Sequence, residues 1–275
     1  YLDGLAGEWV DDVALRHELA SAYARVASIQ GGQSDANVGD TTAALASYQK
    51  ALAILRDPRT SQRLEYKKEA AAVHLAVARL SIARGDNLAA RAHFREAVPI
   101  LEELTRRDPT DSALADELAS GYKVMGDIAC GSGDLHEGLR HYRRTLEIGQ
   151  AMLAANAADE HGEGLLITAH DAIATTLGNP NFTNLGDTAG ALDHLQRLLD
   201  LITRRLGLEP NSGSLLEGQA YTVKSFGEVL TARGDWTQAL VRYDEALRLW
   251  QRLAEVDPRN IRLASQLAYT LSNIG

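Results

Sequence analysis

Histidine and cysteine are the side chains best suited to hold a metal or attack a substrate, and this chain has eight of the first and one of the second. His93, His141 and His194 recur at matched positions in separate segments, so on helices they would form a column with one member per segment. Zinc needs about four converging ligands, and neither a carboxylate nor the cysteine completes a tight set around any of them. His136 and His141 are five apart, which misses the shared helix face that a spacing of four would give. The expectation is therefore histidines at solvated or groove-edge positions, with no metal and no cofactor. Cys130 lies among small residues without a placed histidine base, which suits a packing residue better than a nucleophile. Glu102-Glu103 and Asp159-Glu160 are adjacent, so on a helix they point to different faces and form no acid/base pair. Asn181-Phe182-Thr183 matches a glycosylation acceptor, a pattern that is frequent by chance. No catalytic set emerges, and an enzyme is not expected.

Composition points to helices. Of the 275 residues 45% are hydrophobic but only 5% aromatic, so the apolar material is mostly Ala and Leu, which lead the helix-propensity scale. Six prolines leave long stretches free to be helical. The net charge of −9 argues against nucleic acid and against direct binding to anionic membrane, both of which favour a basic field. Arg106-Arg107, Arg143-Arg144 and Arg204-Arg205 read as cations in the last turns of helices rather than as a phosphate-binding stripe. A single cysteine allows no intrachain disulfide and fits a reducing compartment such as the cytoplasm. No apolar run is long enough to span a bilayer and no signal peptide is present. The start at Tyr1 rather than Met suggests a fragment, so a preceding transmembrane helix would place this region outside the cytoplasm instead.

The elements that must position these side chains are marked by a repeat. Gly-Asp occurs at 39-40, 85-86, 133-134, 186-187 and 234-235, at gaps of 46, 48, 53 and 48 residues. Five residues past each Gly stands a small residue (Ala44, Ala90, Gly138, Ala191, Ala239). Nine past it stands a large one (Tyr48, Phe94, Tyr142, Leu195, Tyr243), and twelve past it Ala51, Ala97, Thr145, Leu198 or Ala246. Glycine suits the left-handed residue past a helix end and aspartate the N-cap of the next helix, so each pair reads as the turn of a helical hairpin. Asp134 with Glu137 and Asp235 with Gln238 have the spacing of capping boxes. The small, large and small residues share one helix face, which makes the tyrosines core residues. Gly126-Asp127 lacks the downstream pattern and falls within a helix. Pro109, Pro210 and Pro258 each follow by twelve residues the last small or apolar position and are expected to open the next helix.

These residues resemble the tetratricopeptide repeat. Gly126, Gly133-Asp134, Gly138, Tyr142 and Thr145 fit that pattern, and Gly227, Gly234-Asp235, Ala239, Tyr243, Ala246 and Pro258 fit it better. The resemblance implies an all-α, right-handed α-α superhelix, a solenoid of about five hairpins plus a partial sixth with long B helices. The expected organisation is a lead-in over 1–12 and one solenoid over 13–275, with hairpins at about 13–57, 62–108, 110–156, 159–209 and 211–257 and a partial one at 259–275. The family period is 34 residues, whereas here it is about 48, so helix B should run about two turns further. The first and fourth hairpins carry extra residues before Gly-Asp, at 31–37 and 178–184, and these stretches end in the similar Asn37-Val38-Gly39-Asp40-Thr41 and Asn184-Leu185-Gly186-Asp187-Thr188.

With Tyr1-Leu2-Asp3-Gly4-Leu5-Ala6, those stretches resemble the repeat region C-terminal to the catalytic domain of some bacterial serine/threonine protein kinases; the kinase motifs themselves are absent. In tetratricopeptide arrays helix A faces the groove. The resemblance thereby places Arg79, Lys123, Asp127, Asp171, Tyr221, Lys224, Glu228 and Tyr269 on a concave partner-binding face. Lys123–Asp127 and Lys224–Glu228 also have the spacing of ordinary surface ion pairs. The expected function is a non-catalytic scaffold that holds a protein or peptide, as the regulatory or sensor region of a larger bacterial signalling protein. The alternative is a self-association module.

Overall fold

The computed structural model describes residues 13–31, 39–58 and 61–272. Among them are eleven α-helices and no strand: α1 (Val13–Gly31), α2 (Thr41–Leu55), α3 (Leu64–Ala83), α4 (Asn87–Arg107), α5 (Ser112–Gly131), α6 (Leu135–Ala155), α7 (Glu160–Gly178), α8 (Thr188–Leu208), α9 (Gly213–Arg233), α10 (Trp236–Val256) and α11 (Ile261–Ser272). The lead-in over 1–12, most of the first extra loop, and Ile274 and Gly275 lie outside the described residues.

All five Gly-Asp pairs are turns. Gly39, Gly85, Gly133, Gly186 and Gly234 are the positive-φ residues of the described chain, at φ 75–90°. A side chain there would cost about 1–2 kcal/mol. The aspartate carboxylates of Asp40, Asp86, Asp134 and Asp187 each accept the backbone N–H three residues on, at 2.9 Å. Asp235 departs from the expectation: its side chain makes no cap hydrogen bond and is held instead by Arg233, whose Nε donates to it at 2.5 Å. The flanking guanidinium outcompetes the backbone amide for the carboxylate.

The backbone also explains how the longer loops are tolerated. Asp86, Asp134 and Asp235 donate their N–H to Ser81, Ala129 and Leu230, five residues back, closing the preceding helix. Asp40 and Asp187 reach Gln30 and Leu177, ten back. The fourth hairpin thus carries five additional residues looped out of the turn, and the bond of Asp40 spans the same ten residues in the first.

The prolines do not open helices. Asp108, Glu209 and Asp257 accept the N–H of Asp111, Ser212 and Asn260, which makes each Pro the second residue of a β-turn. The helix then starts at Ser112, Gly213 or Ile261, with the Asp111 and Asn260 side chains capping it. Proline's fixed φ suits that turn position as well as it suits a first helical turn. Gly126-Asp127 lies within α5 as expected. Helices α4, α6, α8 and α10 are 21 residues each, while α2 has 15. Arg106-Arg107 and Arg205 do occupy last turns, but Arg143-Arg144 sits mid-helix, with Arg144 paired to Glu147.

The chain forms two compact units, residues 1–128 and 129–275. In the first, Leu19, Ala20, Tyr23 and Ala27 of α1 pack with Ala44, Tyr48 and Ala51 of α2 and with Tyr66, Val73 and Val77 of α3. In the second, each helix from α6 to α10 packs on its successor. Its core joins Tyr142, Ile173, Leu195, Phe226 and Leu263 around Trp250, whose side chain is fully buried. The small, large and small positions of every repeat are buried. Gly227 of α9 lets the Tyr243 ring of α10 approach closely: a Cβ there would lie 2.5 Å from that ring.

Candidate functional site

Five of the eight side chains expected to face a groove line one cavity of about 690 Å³ in the second unit: Asp171, Tyr221, Lys224, Glu228 and Tyr269. Helix spacing builds it. Asp171 projects from α7; Tyr221, Lys224 and Glu228 follow one another at three and four residues along α9; Tyr269 comes from α11. Leu198 and Ile202 of α8 and Ile167 of α7 supply an apolar wall. The extra loop of the fourth hairpin closes one side with Asn179, Asn181 and Phe182.

Inside this cavity Lys224 is the hub. Its ammonium lies 4.7 Å from the Tyr269 ring centre, 5.7 Å from that of Tyr221 and 3.3 Å from Glu228 Oε1. Tyr221 in turn stands edge-on to Trp250, which anchors this wall in the core. Glu228 is only 5% exposed. Its Oε2 accepts a long hydrogen bond from Asn179 Nδ2 (3.4 Å), whereas Oε1 is buried and, despite the nearby ammonium, lacks a hydrogen bond of good geometry. Asn181 Oδ1 accepts from the Tyr269 hydroxyl at 3.5 Å, so loop and α11 meet at the cavity edge.

The other three expected residues belong to the first unit. Lys123 and Asp127 pair with each other on α5 at 2.6 Å, both substantially exposed. Arg79 is half-buried on α3, where its charge opposes the burial that pushes the pKa of Tyr48 and of Glu117 up.

The histidines add a feature that the sequence reading lacks. His93 and His194 are part-buried, and each faces a buried partner: the Nδ1 of His93 is 2.9 Å from Nδ1 of His74, and His194 stands in the same relation to His170. His74 and His170 are buried. Burial lowers both to about 4, with the partner histidine and then Arg56 or Arg197 adding to the effect; Asp193 pulls His170 the other way. Burial likewise lowers His93 and His194. Each pair shares one proton between facing nitrogens, one ring donating and the other accepting. Among the described residues no three or more His, Cys, Asp or Glu side chains converge as metal ligands. His141 lies near Glu137, at 3.7 Å.

The remaining chemistry-bearing residues have structural partners. Cys130 contacts Thr176 at 3.7 Å, Glu102 accepts from the Tyr122 hydroxyl, Glu103 pairs with Lys67, and Asp159 caps α7. No described helix is long and apolar enough to cross a membrane.

Comparison with known proteins agrees with this architecture. Residues 225–259, which contain the end of α9, the Gly234-Asp235 turn, α10 and Pro258, match the tetratricopeptide repeat family. The crystal structure of BtubC (BKLC) from P. vanneervenii is similar, at a TM-score of 0.60 and 17% identity, over 93% of this chain and 87% of that one. No curated protein sequence matches the chain. The repeat match and the structural likeness together support a tetratricopeptide-like helical-repeat protein, an architecture typical of non-enzymatic interaction scaffolds.

Proposed function

We propose that this chain is a non-catalytic scaffold whose second unit binds a protein or peptide segment in the cavity between α7, α9 and α11. The observation that carries this reading is the meeting of Asp171, Tyr221, Lys224, Glu228 and Tyr269, the positions that the tetratricopeptide resemblance implies for a groove, in one half-enclosed space with an apolar wall. Such a space suits an extended segment whose side chains enter between rigid helices. The region acts as the regulatory or sensor part of a larger bacterial signalling protein such as a serine/threonine kinase, a role supported by the sequence stretches described above. The test is direct. Peptides selected from a displayed random library are measured against the wild type and against Lys224→Ala with Tyr269→Ala. Affinity falls at least about tenfold in the variant, and the peptides remain intact by mass spectrometry. Equal affinity in both proteins would refute the cavity as the binding site.

Self-association is a second reading, favoured by the large apolar side chains exposed on α10 and around α11: Trp236, Leu240, Val241, Ile261 and Leu271. Sedimentation velocity at rising concentration tests it, and a strict monomer removes it.

A further inference from the structure

The polar groups of the cavity are turned to one another. Lys224 answers Glu228 at 3.3 Å and lies over the faces of Tyr269 and Tyr221. Asp171 is likewise engaged within the chain. Asn179 donates to Glu228 and accepts the N–H of Asn181, and Asn181 accepts the Tyr269 hydroxyl. The Thr168 and Thr222 hydroxyls donate to carbonyls of their own helices, at Gly164 and Gly218. An entering cation would be repelled by the ammonium already on the rings, and an entering carboxylate would have to take Lys224 from Glu228. Either ion would give up water and find no free counter-charge in this lining.

The surfaces that remain are apolar. Leu198 and Ile202 of α8 form a floor with Ile167 beside them. Gly218 of α9 leaves that floor open: a Cβ there would meet Ile202 Cδ1 at 3.6 Å and otherwise open space. On the loop side the Phe182 ring is 60% exposed, although hydrogen bonds fix its backbone. Its N–H donates to the Asn179 carbonyl, and Asn184 Nδ2 donates to the carbonyls of Asn179 and Phe182. The fold thus holds an uncovered ring at the same space as an apolar floor, and a hydrophobic side chain entering there would take both out of water.

We infer that the cavity receives a large apolar side chain, such as leucine or phenylalanine, from a partner polypeptide, with Ile167, Ile202 and Phe182 as its contacts. This rests on the cavity being the peptide-binding site, and the experiment separates the two claims. A library of random twelve-residue peptides displayed on phage is panned against the full chain. Selected peptides are synthesised with their recurrent residue intact and with alanine in its place. Binding is measured to the wild type, to Gly218→Leu and Ser225→Leu, which fill the cavity from α9, and to Phe182→Ser, which removes the exposed ring. Circular dichroism establishes that each variant is folded.

The expected result is a fixed large apolar residue among the selected peptides. Alanine in its place costs about tenfold or more in affinity, Phe182→Ser weakens binding severalfold, and the filled variants do not bind. Raising sodium chloride from about 0.05 M to about 0.5 M changes the affinity less than twofold. If the peptides are blocked by the filled cavity yet carry a fixed charged residue, lose affinity steeply with salt, or tolerate alanine, the apolar inference is overturned and the binding site stands. If both filled variants bind as the wild type does, or no peptide is enriched, both claims fall.

Discussion

Acidification between pH 7 and pH 5 should destabilise this protein through its two histidine pairs. His74 and His170 titrate at about 4 in the folded chain, against 6.5 for an unperturbed imidazole. The depressed value keeps each ring neutral when folded, while the unfolded chain takes up a proton below pH 6.5. Stability is therefore full above 6.5 and is lost as pH falls towards 4. The cost is about 2 kcal/mol per buried histidine at pH 5 and about 3 kcal/mol at pH 4. The charged groups facing each pair act in both senses. Arg56 disfavours charge on His74 and His93, and Arg197 and Arg143 disfavour it on His194, while Glu96, Asp193 and Asp187 oppose them in part. Carboxylates held low by their partners, such as Glu103, Asp108 and Asp193, lose their contribution only at lower pH, and Glu117, raised by burial, works in the opposite sense, so a loss between pH 6.5 and 5 is assigned to the histidines. Urea unfolding followed by circular dichroism is the assay. A wild-type midpoint lower by about 1 M at pH 5 than at pH 7 is expected. In the His74→Gln, His170→Gln double variant, whose amides still hydrogen-bond the partner rings, more than half of that shift should disappear. An unchanged wild-type midpoint, or an equal shift in the variant, would refute the assignment.

Two further outcomes follow from the packing. Gly227→Ala drives a methyl group into the Tyr243 ring and should cost about 1–3 kcal/mol, partly offset by the better helix propensity of alanine, with a lower Tm that Tyr243→Leu in the same chain restores in part. Asp187→Ala removes a true N-cap and should cost about 1 kcal/mol in urea unfolding, while Asp235→Ala, which breaks only an exposed contact with Arg233, should cost less than half as much.

The repeat was legible because burial leaves a fixed mark: a small residue, a ring and a small residue at four- and three-residue steps can only be one packed helix face. The histidine pairs were not, and the loops explain why. His74 lies eleven residues before Gly85 and His170 sixteen before Gly186, so a fixed register puts them at different positions. Only the backbone bonds of Asp86 to Ser81 and of Asp187 to Leu177 reveal five looped-out residues, and with those removed the two histidines coincide. The proline turns were misplaced for a related reason: a φ near −65° serves a turn and a helix start alike, and the sequence does not distinguish them.

The candidate site shows the same division between spacing and covering. Lys123–Asp127 and Lys224–Glu228 are identical motifs, a lysine four residues before a carboxylate on a helix A. On α5 the pair is exposed, with side chains at 39% and 45% of full accessibility, and screened by water it contributes little. On α9 the same pair is at 14% and 5%. The difference comes from neighbours distant in sequence: Asn179 and Asn181 in the long fourth-hairpin loop, and Tyr269 of α11, which touch Glu228, Lys224 and each other. The third hairpin turns tightly at Gly133, without such a loop. Helix periodicity can nominate both pairs; the loop that desolvates one of them also closes a cavity around it, and so makes it the place to look for a ligand.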